Sequence, residues 1–129
     1  MENKIVLVDT SILIDYFRKT EKSNTVLLKL FRQGYDFSIS AITEYEIYSG
    51  ANASQLNFWN DILNNIPFIP FDQSAVKTAV QINQALKQKS KQIDIADLFI
   101  AATAVSNNLP IATLNVKHFK RVDLLTIIE

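Results

Sequence analysis

Lys4-Ile5-Val6-Leu7-Val8-Asp9-Thr10-Ser11 is the stretch on which the fold turns. Behind Lys4 the run is continuously apolar and rich in β-branched residues, with no alternation. That is the pattern of a strand buried on both faces, as in a parallel sheet covered by helices on each side. The run ends at an acid and two hydroxyl residues, so the predicted strand delivers Asp9 to the carboxyl edge of the sheet. Downstream, Ser11 is placed to cap a helix through Ile12–Phe17, and Val26, Leu27, Leu30 and Phe31 share one face of a second helix that Gly34 stops. Phe37–Ser40 reads as a strand, and 42–49 as a helix closed by Gly50.

The same alternation continues to the end of the chain. Leu56, Trp59, Leu63 and Ile66 recur at helical spacing within 53–65, and Pro67 ends that helix. Residues 68–71 are extended. A long helix follows from Asp72 or Ser74, with Ala75, Ala79, Ile82 and Leu86 inward, and then the basic connection Lys87–Lys91. Ile95–Ser106 is an Ala-rich helix, 110–114 a strand, 116–120 a single helical turn and 124–128 a last strand. Strands that alternate with helices need crossover connections, which predicts an α/β fold with a mostly parallel central sheet flanked by helices. No repeat or linker divides the chain, so 1–129 is expected to be one domain.

Composition narrows the chemistry. With 129 residues and 48% hydrophobic content, the chain can bury a self-sufficient core. Its 13 Lys+Arg balance 13 Asp+Glu, which removes bulk charge as a reason for nucleic-acid binding but leaves room for a local basic rim. The absence of cysteine excludes disulfides, thiol nucleophiles and Cys-ligated zinc, and fits a reducing cytoplasm. Two glycines cannot build the phosphate-binding loops of dinucleotide or Walker-type sites. No apolar run approaches the roughly 20 residues that span a bilayer, so no membrane association is expected.

Function in such folds gathers at the carboxyl ends of the strands. The residues expected there are Asp9-Thr10-Ser11, Ser40–Glu46 and Thr113-Leu114-Asn115. Each acid also has a local explanation. Asp9 can cap the following helix, Thr43-x-x-Glu46 has the form of a capping box, and Asp94 and Asp97 suit the start of the 95–106 helix. For Asp97 the local explanation is weak, because an acid at the mouth of an almost wholly apolar helix is costly. Three acids gathered on one sheet edge would repel one another unless a divalent cation lay between them. Oxygen ligands with a lone His118 favour Mg²⁺ or Mn²⁺ over zinc.

Val8-Asp9-Thr10-Ser11, Thr43–Ala51, Asp97–Ala104 and Thr113–Phe119, in this order and at these intervals, resemble the PIN-domain ribonucleases, and among them the VapC-type toxins of type II toxin–antitoxin pairs. The resemblance covers essentially the whole chain. It implies a PIN-like three-layer sandwich and a metal-dependent endoribonuclease leaving 5′-phosphate and 3′-hydroxyl ends. It implies Asp9, Glu46 and Asp97 as metal-binding acids, and Thr10 or Ser11 as a hydroxyl that orients Asp9 or a water at the metal. Thr113 and Asn115 match the segment beside the site. Where relatives often carry a further acid, this chain has Asn115 and, three residues on, His118. The resemblance also implies an RNA substrate and a small antitoxin that blocks the site, and it leaves room for a homodimer. Two other readings are open at this level: a catalytically degenerate PIN-like binding module, and a phosphohydrolase using Asp9 as nucleophile. Lys87, Lys89, Lys91, Lys117, Lys120 and Arg121 flank the acids in sequence, either guiding phosphates or forming solvated loops.

Overall fold

A computed structural model of the chain describes residues 4–128. The central strand β1 (Lys4–Val8) forms as its apolar run requires. Leu7 packs on one face with Ile82, Leu86, Ile100 and Phe119, while Val6 and Val8 pack on the other with Ile12, Leu13, Ile39 and Trp59. Adjacent strand residues point to opposite faces, so burial of all three makes β1 the middle of a three-layer stack.

Helices α1 (Thr10–Arg18) and α2 (Val26–Arg32) carry the chain to β2 (Tyr35–Ser40), which pairs in parallel with β1. Helices α3 (Ala41–Gly50) and α4 (Leu56–Leu63) lead to the short β3 (Phe68–Ile69), parallel to β2. The chain then returns through α5 (Gln73–Gln88) and α6 (Ile95–Ser106) to β4 (Ile111–Ala112), on the far side of β1, before the single turn α7 (Val116–Phe119). The strand order is β3-β2-β1-β4. Because successive connections leave β1 in opposite directions, a crevice opens between β1 and β4 at their carboxyl ends, the place where such sheets bind ligands.

The long helices match their patterns. Ala75, Ala79, Ile82 and Leu86 are all buried on α5, and α6 has the expected bounds. Gly34 has φ +89°, the left-handed conformation that suits the residue beyond a helix end.

Several local expectations are corrected. Asp9, rather than Ser11, caps α1, accepting from the Ile12 N–H at 3.3 Å. Ser40 caps α3 and receives the Thr43 N–H at 3.0 Å, so Thr43-x-x-Glu46 is not a capping box. Residues 53–55 form a 3₁₀ turn before α4, with Asn52 and Gln55 as the reciprocal cap. Phe31 is 64% exposed, since α2 buries Leu27 and Leu30 and packs Val26 and Leu28 partly against the core. Lys87 and Gln88 remain helical. The extended segments at 68–71 and 110–114 shrink to two-residue strands, and 124–128 contributes a lone bridge, Ile127 to Ile111. Residues 68–71 meet only β2 and residues 124–128 only β4, whereas β4 itself lies between β1 and Ile127.

Candidate active site

The crevice between β1 and β4 opens into a cavity of about 620 Å³ whose lining includes Asp9, Thr10, Ser11, Glu46, Asp97 and Asn115. Asp9, Glu46 and Asp97 therefore reach one place, while Asp94 does not line it. A slightly larger cavity, about 640 Å³, lies at the other end of β1 and β2 and is lined mainly by apolar groups such as Ile5, Phe31 and Pro67. Convergent reactive groups, and not size, single out the acidic cavity.

Asp9 stands one residue past β1 and is 2% exposed. Its Oδ1 accepts from the Ser11 hydroxyl at 2.6 Å and from the Ile12 N–H, and its Oδ2 accepts from the Thr113 hydroxyl. Burial nevertheless raises its pKa above the ordinary carboxylate value, with the hydroxyl and backbone donors opposing that shift. The capping and functional readings of Asp9 are thus compatible. Three donors fill part of a carboxylate's roughly four acceptor positions, so acceptor capacity remains.

The two hydroxyls after Asp9 divide their work. Ser11 serves Asp9, and its oxygen also accepts from the Leu114 N–H at 3.0 Å. Thr10 instead donates to Glu46 Oε1 at 2.6 Å and lies 3.2 Å from the Thr43 hydroxyl. Thr43 and Ser40 are both buried, and their hydroxyls lie 3.3 Å apart. Glu46 sits in the second turn of α3, held toward α1 by this hydroxyl chain rather than by its own helix start. Thr113 links β4 to the site from the other side, since its oxygen accepts the Asn115 N–H at 2.8 Å while its proton goes to Asp9. Removing that hydroxyl with Thr113→Val should leave a buried acceptor and a backbone donor short of a partner. Urea denaturation is expected to show a loss of about 1–3 kcal/mol, and an unchanged midpoint would contradict this linkage.

Asp97, in the first turn of α6, accepts no hydrogen bond from any described residue. Burial, followed by the charges of Asp9, Asp94 and Glu46, raises its pKa, and His118 opposes the rise with Nδ1 3.8 Å from Oδ2. Asp94 occupies the cap position of α6 without a side-chain cap bond. The cavity therefore holds more negative charge than its own donors balance. The groups it presents are hard oxygens, the donor type that suits a divalent cation. Among the described residues no three Asp, Glu or His side chains are close enough together to hold an ion directly.

Two cations in the lining were not anticipated. Arg18 and Lys19 reach the cavity from the end of α1, where Lys19 pairs with Asp15 at 2.9 Å. Their spacing of one turn or more beyond Ser11 was the available signal, because it brings the helix's later residues over the face its first turn occupies.

The profile of the PIN domain family matches residues 6–125. Ribonuclease VapC1 of Methanocaldococcus jannaschii is 34% identical, with 94% of this chain and 83% of the relative covered. Ribonuclease VapC of Rickettsia bellii is 30% identical, with 95% and 94% covered. Among solved structures, VapBC2 from Rickettsia felis bound to a promoter DNA fragment is similar with a TM-score of 0.83 and 26% identity, covering 96% of this chain and 97% of that one.

Proposed function

The chain belongs to the PIN-domain family and, within it, to the VapC ribonucleases, and from that premise we propose that it cleaves RNA at the acidic cavity as the toxin of a toxin–antitoxin pair. The observation that carries this reading is the convergence of Asp9, Glu46 and Asp97 on one cavity at the switch point of the sheet. Divalent-metal dependence comes with the family. We assign Asp9, Glu46 and Asp97 as the groups that hold the cation, and Mg²⁺ as the ion of choice given all-oxygen ligands. When bound, it supplies positive charge against the phosphodiester and acidifies water at the site.

The chain's own residues then have separable tasks. Ser11 and Thr113 hold both Asp9 oxygens in place, and the helix-capping bond to Ile12 fixes the carboxylate's plane. Thr10 engages one oxygen of Glu46 and leaves Oε2 uncommitted for a ligand or a proton. Asp97 brings its carboxylate to the cavity from the first turn of α6; as the water oxygen bonds to phosphorus and the bond to the 3′ oxygen breaks, the proton the water loses passes to solvent and the 3′ oxygen takes one from solvent. Asn115 lines the cavity next to Thr113 and can offer its amide to a phosphate oxygen. Arg18 can offset phosphate charge on the opposite wall.

Among the described residues no helix is long and apolar enough to cross a membrane. We place the activity in the cytoplasm, where RNA substrates are. For the antitoxin, the partly exposed rings of Tyr16, Phe17 and Phe58, backed by the buried Trp59, supply an apolar seat beside α1. A segment laid there would approach the cavity from the Arg18 side.

Cleavage of a panel of defined RNAs tests the proposal. Activity should vanish in EDTA and return with Mg²⁺, and calorimetry should find one ion per chain, since Asn115 and His118 supply no further carboxylate. Cleavage undiminished in chelator would refute the metal-based reading, and two tightly held ions in RNA-free protein would refute the ligand assignment.

A further inference from the structure

Lys87–Lys91 and Lys117–Arg121 are separate basic segments in the sequence, yet the fold brings them to one cavity. Its volume is about 480 Å³, and it is lined by Lys89, Lys91, Lys117, Lys120 and Arg121 against a single acid, Asp123. Lys87 is not part of it. The chain is neutral as a whole, with 13 cations against 13 acids, so five of its cations in one lining is a concentration that composition does not supply.

The walls of this cavity are tied together. Lys89 pairs with Asp123 at 2.7 Å, and Arg121 Nη1 donates to the Gln92 carbonyl at 3.1 Å. Ser90, with φ +55°, turns the chain at the end of α5 so that the Lys91 N–H returns to the Leu86 carbonyl at 2.9 Å. Cations at helix ends also complement the helix dipole, but that effect is confined to each helix's last turn and does not explain a shared cavity.

Its position relative to the acidic site is set by α7. Asn115, just before this helix, lines the acidic cavity, while Lys117 within it and Lys120 and Arg121 just after it line the basic one. Four helical residues span only about 6 Å. An extended single strand crossing the acidic cavity can therefore continue over α7 into the basic one.

We propose that this cavity binds backbone phosphates of single-stranded RNA flanking the cleavage point, holding the substrate across the acidic site. The proposal deepens the nuclease reading and rests on it for the identity of the polyanion. The acids of the catalytic cavity repel RNA, and an adjoining cationic site offsets that repulsion without adding positive charge among the groups that hold the metal.

The test compares full-length wild type, Lys91→Gln/Lys117→Gln, and Lys77→Gln/Lys87→Gln, a pair outside the cavity with the same loss of charge. All four lysines are exposed, so folding should be kept, which circular dichroism checks. Binding of a fluorescein-labelled mixed-sequence single-stranded RNA is measured in chelator over a salt series, and cleavage is measured with Mg²⁺. The cavity variant should lose about tenfold in affinity at low salt, with its log K against log salt slope shallower by about 1.4, at about 0.7 per phosphate contact removed. Its KM should rise while kcat is kept, and the control pair should resemble wild type.

Wild-type affinity and slope in the cavity variant, or an equal loss in the control pair, would overturn the subsite and leave the nuclease reading standing. RNA affinity lost in the cavity variant, with no cleavage by wild type, would uphold the phosphate site and defeat the nuclease reading. Loss of poly-glutamate binding with RNA affinity intact would assign the cavity to an acidic protein instead, and overturn the proposal.

Discussion

Asp97→Asn is expected to lower RNA cleavage by at least about 100-fold, since loss even of groups that only support a metal ligand commonly costs 10–100-fold. The same substitution should raise the melting temperature of the metal-free protein. Asp97 accepts no hydrogen bond that Asn would break, and its pKa is raised by burial and by the charges of Asp9, Asp94 and Glu46. The sign follows from that direction. A carboxyl with a raised folded-state pKa binds more protons folded than unfolded, so its ionisation lowers stability as pH climbs from the ordinary value of 3.8 through the raised one. The variant's gain should therefore be full at neutral pH and absent well below pH 3.8, as a thermal series across pH would show. Asp9→Asn should also lose cleavage but gain less stability, because an Asn amide would face the Ser11 and Thr113 hydroxyls that now donate to Asp9. Wild-type turnover by Asp97→Asn, or a fall in its neutral melting temperature, would reduce Asp97 to a residue that serves its helix start.

Phe119→Ala should be the most destabilising single change outside the site, by about 3–5 kcal/mol. Phe119 is fully buried in the cluster that includes Leu7, Ile100 and Ile111. It is also the anchor of α7, whose four residues are too few to hold a helix by themselves. Because α7 separates the two cavities, the substitution should weaken RNA binding and cleavage together in protein that remains folded. Phe119→Leu should recover most of both. A urea midpoint in Phe119→Ala corresponding to less than about 1 kcal/mol would show that α7 is held by its flanking turns instead.

Much of this was legible along the chain. The apolar run of β1, the inward stripe of α5 and the bounds of α6 follow from periods of burial that any local window contains. So did the placement of Asp9, since a doubly buried strand that ends at an acid must set that acid at the sheet's edge. Helix starts were less legible. Whether Ser40 or Thr43 caps α3 depends on how far β2 continues beside β1 and β3, and both residues satisfy the local preference. The extent of 124–128 as a strand was set by how much partner edge β4 offers, which the segment itself does not encode.

By itself, then, the sequence determined the alternation of strands and helices and the parallel layered arrangement, while Asp9, Glu46 and Asp97 were picked out together by the family resemblance. Burial periodicity and the low charge tolerance of a core act over a few residues, and they left few alternatives. Which hydroxyl holds which acid was decided only in three dimensions. Thr10 reaches Glu46 across 36 positions and Thr113 reaches Asp9 across 104. Arg18 and Lys19 over the acids, and two lysine segments closing one cavity, belong to the same level. Such contacts depend on strand order and on the direction of each crossover, and a residue's local surroundings are nearly the same whichever side of β1 the chain returns to.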